Sequence, residues 1–397
     1  MIITGIQIID MLLFTYVALC VSYLVLFAIA SLFFKTKDVL PVEVFNKFII
    51  LIPGYKEDKV IIESASSAIN QNYPSSLYKV LVISDRMKDE TNNALRSMGC
   101  KVLEIYYEES SKAKALQAAI QHLMHHNDTN IQPDYVVILD ADNIIAPNYL
   151  ELVNCYTQQT KCKVLQTHRT AKNLNTPTAI LDAAIEEMNN SIFRLGHVQL
   201  GFSSALIGSG MIMDYAWFTK NIFHTHSAGE DKELEELLLR QHFHIHYADS
   251  IRVLDEKVQQ KEAMGKQRKR WIATQFFLAN LMWPRVPQAI LKGNGDYLLK
   301  AFQSIIPPRS ILVLSLLVLA MLTTFIPFLS CEKWWVILIV LLVGMYIAIP
   351  SYMRNKQLIG AIKEVPYFII AMVINLFSFK GASKKFIHTS HGDNISS

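Results

Sequence analysis

The 397-residue chain predicts an α/β fold, a mainly parallel sheet with flanking helices, carried between transmembrane helices at both ends. Three observations lead there. Apolar residues make up 51% of the chain, yet they concentrate at its ends while the middle carries ordinary charge. From residue 46 onward, short β-rich runs alternate with runs of helical periodicity, the pattern of right-handed β–α–β crossovers. Polar and acidic residues follow several of these runs directly, at the strand ends where open α/β sheets bind their ligands.

The first apolar segment, 8–34, holds Asp10 as its only charge and is long enough to cross a hydrocarbon core of about 30 Å. Lys35 and Lys37 follow the apolar run, whereas a cleavable signal would begin with its basic residues, so the segment reads as a retained anchor. Basic residues favour the cytoplasmic side, which puts the N-terminus outside and the chain after residue 35 inside. The expected organisation is an anchor over 1–35, a cytoplasmic body over 46–290, an interfacial segment over 291–309, a membrane region over 310–380 and a tail over 381–397. Strands are expected at 47–52, 79–84, 101–106, 134–139 and 163–167, with helices at 61–70 and 112–125 between them. Two further spans, 311–329 and 334–350, flank the turn Ser330, Cys331, Glu332, Lys333. A last apolar stretch, 365–379, is short for a crossing; the basic Lys380, Lys384 and Lys385 favour leaving it non-spanning, with the tail in the cytosol.

Five cysteines without a C-x-x-C pair indicate neither disulfides nor a zinc site in a reducing compartment. The net charge of +4, without a dense basic stripe, gives no case for nucleic acid and suits a body lying near anionic lipid. His242, His244 and His246 alternate as one strand face would, and a solvated or membrane-proximal face accounts for them without a metal.

The chemistry-bearing residues follow the strands. Pro53, Tyr55 and Glu57 succeed the first, and Asp85 the second; there a carboxylate can accept from a uracil imide N–H and an aromatic ring can stack, while helix capping also explains them. Asp140 and Asp142 leave the apolar fourth strand together, a pair of hard oxygen donors for Mg²⁺ or Mn²⁺ and, through it, a diphosphate. Glu230 and Asp231 open a helical pattern; Asp231 suits a general base for an attacking hydroxyl, and a helix cap would use the same position. Gln267, Arg270 and Trp271 lie in a basic cluster that either meets lipid headgroups or supplies a diphosphate contact and a stacking face for the acceptor sugar. The apolar segment from Gly201 to Met213, with Gly208, Ser209 and Gly210 at its centre, is too short to span a membrane and lies under the acceptor site or is a glycine-loosened loop.

In this order the pieces resemble family 2 glycosyltransferases of the GT-A fold, the membrane branch of cellulose, chitin and hyaluronan synthases in particular. Pro53-Gly-Tyr-Lys-Glu57 is similar to the family's P-A-Y-N-E, Asp85 and Asp89 to its D-D-G-S-T-D segment, Lys112 and Gln117 to its K-A-x-A-L-N helix, Asp140 and Asp142 to its metal motif, Glu230-Asp231 to its E-D pair, and Gln267, Arg270, Trp271 to Q-x-x-R-W. The resemblance implies that Pro53, Tyr55, Glu57 and Asp85 line the nucleoside, that Lys112 approaches the diphosphate, that Asp142 ligates the metal with Asp140 nearby, and that Asp231 is the base of an inverting transfer, beside Glu230. Lys56, Gly54, Gly229 and Ser84 depart from the usual Asn, Ala, Thr and Asp. The expected activity is transfer from a nucleotide sugar, with uridine as the base, to a growing polysaccharide of the bacterial cell envelope or another membrane-proximal glycan, at the inner or plasma membrane. A single addition to a lipid acceptor is the alternative, and a catalytically silent membrane scaffold the alternative of another class. With one span before the body and two or three after it, a homodimer or a separate exporter would complete any translocation channel.

Overall fold

The computed structural model describes residues 2–36, 39–125 and 132–370. Lys37 and the segment 371–397, which holds the rest of the last apolar stretch and the basic tail, lie outside the described residues.

In chain order the body comprises β1 (Phe48–Tyr55), α2 (Ile61–Ile69), β2 (Tyr78–Asp85), α3 (Asp89–Ser97), β3 (Lys101–Ile105), α4 (Lys112–His125), β4 (Tyr135–Ile138), β5 (Ile144–Ile145), α5 (Tyr149–Thr160), β6 (Val164–Ala171), α6 (Pro177–Asn190) with a π-helical continuation (Ser191–Gly196), α7 (His197–Gln199), β7 (Met211–Asp214), α8 (Tyr215–Asn221), α9 (Glu230–Arg240), β8 (His246–Asp255) and α10 (Lys261–Met282). Before it stands α1 (Ile2–Ser31), and after it come α11 (Val286–Leu291), α12 (Gly295–Ile305), α13 (Arg309–Thr324), α14 (Glu332–Ala348) and α15 (Lys356–Ala361).

The strands form one eight-stranded sheet in the order β3-β2-β1-β4-β7-β6-β8-β5. Its first four strands are parallel, as the sequence predicts, but β7 runs antiparallel to both β4 and β6 and β5 antiparallel to β8, so the sheet is mixed rather than mainly parallel. The apolar run read as a segment beneath the acceptor site ends in β7, whose Met211, Ile212 and Met213 are fully buried. A strand only four residues long inside a continuous apolar run has no readable alternation.

Period-two alternation builds the core. Phe48, Ile50 and Ile52 of β1 face α2 and α5, whereas Ile49 and Leu51 face α4 and α9; Val80 and Val82 against Leu81 and Ile83 repeat the division in β2. A strand covered on both faces reads as a solid apolar run, and a one-residue slip would exchange its two faces. Helix starts are set locally: Thr176 accepts from Ala179 N at 3.1 Å with Pro177 in the first turn of α6, and Asn294 accepts from Tyr297 N at 3.1 Å to open α12.

Among the described residues one helix, α1, is long and apolar enough to cross a membrane by itself, while α12 and α13 pass only as a pair bent by 60°. With 16 and 17 residues, α13 and α14 form where the two C-terminal spans are expected. At about 1.5 Å per residue each falls short of a full hydrocarbon core. The segment expected to lie in the interface contains α12, which packs on the body, burying Tyr297, Lys300, Ala301 and Ser304.

α1 is fastened to the rest at two close approaches. A Cβ on Gly196 would lie 2.1 Å from the carbonyl oxygen of Phe27, and one on Gly344 would lie 2.6 Å from Val25. At Gly196 the obstacle is backbone and cannot turn aside. Gly196→Ala is therefore expected to separate α1 from the body at a cost of about 1–3 kcal/mol. The check is the thermal midpoint in detergent together with protease cleavage in the 32–46 connection; an unchanged midpoint and cleavage rate would refute the close packing.

Candidate active site

Because β1, β2 and β4 are parallel, Pro53 and Tyr55, Asp85, and the Asp140–Asp142 pair all emerge at one edge of the sheet. Tyr55 lies opposite Asp85 in register. Lys56 and Arg86, which follow them, take positive φ of 56° and 57°, and Lys56 N donates to the Asp85 carbonyl at 3.1 Å. Asparagine tolerates that backbone better than lysine, which gives the resembling motif's Asn a physical reason. Asp85 is buried, its Oδ1 has no hydrogen-bond partner among the described residues, and burial holds its carboxyl above the usual range against the pull of Ser110, Arg86 and Lys56. A buried acceptor without a donor is costly, and a ligand N–H would relieve it. Glu57 accepts at its backbone carbonyl from Val60 N and Ile61 N, at 3.2 and 3.1 Å, in the turn into α2.

The acidic pair is clamped by Asn143, which sequence reasoning passed over. Its Oδ1 accepts from Asp140 N at 2.9 Å, and its Nδ2 donates to Asp142 Oδ1 and Asp255 Oδ1, both at 3.1 Å. Asp142 Oδ2 also accepts from Glu256 N at 3.3 Å. Among the described residues no group of three or more His, Cys, Asp or Glu is arranged to hold a metal ion. The two carboxylates nevertheless fit Mg²⁺ or Mn²⁺, which in nucleotide enzymes take one or two protein carboxylates and complete their shell with phosphate oxygens and water.

Lys112, the first residue of α4, joins the two acidic motifs. Its ammonium pairs with Asp140, donates to the Gly208 carbonyl at 2.6 Å and lies 3.7 Å from Glu230 Oε1. Burial opposes its charge, but Asp140 and Glu230 outweigh that and raise its pKa. Gly208, at φ 85°, occupies the space between Lys112 and Asp231, where its Cβ would be 3.8 Å from Lys112 Nζ and 4.0 Å from Asp231 Cγ. Gln117, one turn and a half along α4, donates to the carbonyls of Ile222 and Thr225 at 3.1 and 2.8 Å and braces the approach to α9.

Glu230 and Asp231 form the first turn of α9, whose N-cap is Gly229. No side chain makes a cap hydrogen bond at Gly229, so Asp231 does not take the capping role weighed for it; Glu233 instead ties down the loop before the helix, its Oε2 accepting from His226 N and Ser227 N, each at 2.9 Å. Asp231 lies 3.4 Å from Lys232 Nζ. Burial lifts the Glu230 carboxyl to about 7, the charge of Asp231 adding to the rise and Lys112 opposing it. A Cβ on Gly229 would meet Thr274 Cγ2 at 2.5 Å, so a threonine of α10 fills the space that the usual Thr at 229 would need.

That contact brings Thr274 of α10, which follows the Gln-x-x-Arg-Trp residues on the same helix, against the start of α9. Gln267 Oε1 is buried without a hydrogen-bond partner among the described residues, and Trp271 is half-buried under the Arg268 guanidinium, 4.5 Å from the ring centroid. Arg268 rather than Arg270 turns inward, donating to Asp182 at 2.9 Å, while Arg270 makes no ion pair among the described residues.

Sequence reasoning also missed Arg169, Glu186, Asp255 and Lys257. Arg169 donates to Glu186 at 2.6 Å and lies 3.8 Å from both Asp140 and Asp255, and Lys257 pairs with Glu186 and Asp255. β6 continues four residues beyond its expected end, through a bulge at Thr167/His168, and β8 runs beside it from His246 to Asp255. The signal available was the polar Thr-His-Arg-Thr continuation of an apolar run, which reads equally well as a loop. His168 there donates or accepts between Asp249 at 2.8 Å and Glu187 at 3.1 Å. Burial works against its proton, and the two carboxylates outweigh it, raising its pKa to about 9. A folded pKa above the unfolded value adds stability that is complete below about pH 6.5 and lost as pH rises through about 9. The thermal midpoint is expected to fall across that window, by about 3 kcal/mol of unfolding free energy at most, and to lose this slope in His168→Asn; a parallel slope in the variant would refute the assignment.

Residues 46–274 match glycosyltransferase-like family 2. The mannosyltransferase PcManGT from Pyrobaculum calidifontis, solved with GDP-Man and Mn²⁺, superposes with a TM-score of 0.56 at 15% identity, covering 95% of this chain and 99% of that one. Glucosyl-3-phosphoglycerate synthase from Mycobacterium tuberculosis, in complex with Mn²⁺, UDP and glucosyl-3-phosphoglycerate, gives a TM-score of 0.40 at 15% identity over 59% of this chain and 80% of that one. The uncharacterized glycosyltransferase RP339 of Rickettsia prowazekii (strain Madrid E) is 29% identical over 102 residues, 26% of this chain and 29% of its own length, so the chain spans under a third of that curated relative. With more than half of its length matched and a mixed α/β sheet that carries the Asp140–Asp142 pair beyond the end of β4, the chain belongs to glycosyltransferase-like family 2.

Proposed function

We propose that the protein is a membrane-anchored, metal-dependent, inverting glycosyltransferase that moves a sugar from a nucleotide donor, a UDP-sugar, to a polysaccharide or other glycan presented at the cytoplasmic membrane face. The observation that carries this reading is the Lys112 ammonium, which bridges Asp140 of the candidate metal pair and Glu230, next to Asp231. In this reading Lys112 stands between the diphosphate of the donor and the proton acceptor.

In this reading Tyr55 stacks on the base and the unpartnered Oδ1 of Asp85 accepts its imide N–H. Asp140 and Asp142 hold the Mg²⁺ or Mn²⁺ ion, which when bound neutralises the departing diphosphate. Asp231 removes the proton from the acceptor hydroxyl as its oxygen attacks the anomeric carbon, and Lys112 supplies a further positive charge to the leaving group. Trp271 at the α10–α9 junction offers the acceptor sugar an apolar face. α1 anchors the body, and the exposed Leu12, Leu19, Val318, Leu322, Ile339 and Val343 of α1, α13 and α14 face lipid.

The test is release of nucleoside diphosphate by the detergent-purified chain across UDP-, GDP- and other nucleotide sugars with Mn²⁺ or Mg²⁺. Metal-dependent turnover with one donor is the expected result, and gel analysis of the product separates a polymer from a single addition. No turnover with any donor, with membrane lipids supplied, would favour the silent scaffold.

A further inference from the structure

Next to Asp231, a second set of charges gathers from three parts of the chain. Lys232 of α9 lies 3.4 Å from Asp231 and 3.3 Å from Glu235, and it also donates to the Leu206 carbonyl. Lys300 of α12 pairs with Glu235. Arg194, in the π-helical turn, donates to Asn190 Oδ1 at 2.7 Å and is 5% exposed. Lys300 lies within electrostatic reach of Lys232, Arg194 and Asp231.

Three cations thus share this region with two carboxylates, one of which is the proposed base. Glu186 and Glu187 also act on Arg194, but Arg169 and Lys257 hold the first and His168 the second. Three buried polar atoms here have no hydrogen-bond partner among the described residues: Arg194 Nε, the nearby Tyr247 hydroxyl, and Glu235 Oε1, which has only its ion pair with Lys300. Burial, together with the charges of Arg194 and Arg169, lowers the Lys232 pKa despite Asp231. Buried positive charge in excess, with a guanidinium N–H unmet, is the environment that an anion of several oxygens satisfies. The position favours one source. Lys300 stands on the helix that runs directly into α13, and the carbonyl of Ile305 at its end accepts from the Tyr16 hydroxyl of α1 at 2.7 Å.

Resting on the glycosyltransferase reading above, we infer that Arg194, Lys232 and Lys300 hold a phosphoryl group of the acceptor, so that the acceptor is a phosphorylated molecule entering from the lipid side. Its hydroxyl attacks the anomeric carbon, the bond to the diphosphate breaks, and the proton passes to Asp231; the phosphoryl group is a handle and takes no part in bond exchange.

The test measures binding of dodecyl phosphate, inorganic phosphate and dodecanol to the full chain in maltoside detergent, with nucleotide-sugar binding as the control. Variants are Arg194→Gln, and Lys300→Met combined with Glu235→Gln so that no buried carboxylate is stranded. Dodecyl phosphate is expected to bind, and each variant to weaken it about tenfold or more, with nucleotide-sugar binding intact. If inorganic phosphate binds equally well and is lost in the same variants, the cations recognise a phosphoryl group but its lipid source is overturned. Dodecyl phosphate binding no better than dodecanol, or binding equally to the variants, with the nucleotide sugar still bound, overturns the phosphoryl site alone. A wild-type chain that binds no nucleotide sugar overturns both readings.

Discussion

Asp231→Asn is expected to lower sugar transfer by about 10²–10⁴-fold while leaving nucleotide-sugar binding nearly unchanged. Asparagine keeps the shape and the place at the start of α9 but cannot take a proton. The fold should tolerate it, because Glu233 and not Asp231 satisfies the backbone N–H groups before the helix. Removing the Asp231 charge also takes away one of the influences that lift the Glu230 carboxyl to about 7, after burial itself. Glu230 in the variant is then more readily ionised, and Lys112 still holds it. If Glu230 were the true base, Asp231→Asn would retain transfer and shift its acid limb to lower pH. The measurement is the pH profile of nucleoside diphosphate release with acceptor present, for wild type, Asp231→Asn and Glu230→Gln; transfer in Asp231→Asn within tenfold of wild type would remove Asp231 from the base role.

How much of this site the sequence disclosed depends on where each residue lies along its element. Asp85, Asp140 and Asp142 stand one to three positions beyond solidly apolar runs, and such runs leave little choice of end point. Lys112 opens a helix whose amphipathic period is plain, and its predicted bounds coincide with α4. The charges beyond the apolar parts of β6 and β8 were hidden because the strands outrun their hydrophobic signal. His168, Arg169 and Asp255 belong to extensions that pair with each other beyond a bulge, and on the far side of β8 with the two-residue β5, and no local pattern announces such pairing. Arg268 was hidden for another reason. In Gln-Arg-Lys-Arg-Trp three cations are equivalent by composition, and only the tertiary position of Asp182 on α6 selects which of them is buried. The antiparallel β7 was masked by its own apolarity, since three buried residues in a longer apolar run carry no alternation.

Asp142→Asn is expected to abolish metal-dependent turnover, a loss of about 10³-fold if the ion supplies several kcal/mol to the departing diphosphate. The geometry makes Asp142 the more demanding member of its pair. It is 5% exposed, and both of its oxygens already accept, from Asn143 Nδ2 and from Glu256 N, so its carboxylate is oriented before any ligand arrives. An asparagine there can offer one oxygen only and must set its amide N–H₂ against one of those two donors, which both weakens the ligand and turns it. Asp140 is more exposed and is already paired with Lys112, so Asp140→Asn disturbs the Lys112 bridge as well as the ion. The two variants are therefore expected to part in one observable. Mn²⁺ affinity, read by paramagnetic resonance with nucleotide diphosphate present, falls in both, whereas donor binding without metal falls in Asp140→Asn alone because Lys112 loses its anchor. Full Mn²⁺ affinity in Asp142→Asn would show that the ion is held elsewhere, and equal metal-free donor binding in the two variants would show that Lys112 does not depend on Asp140 for its position.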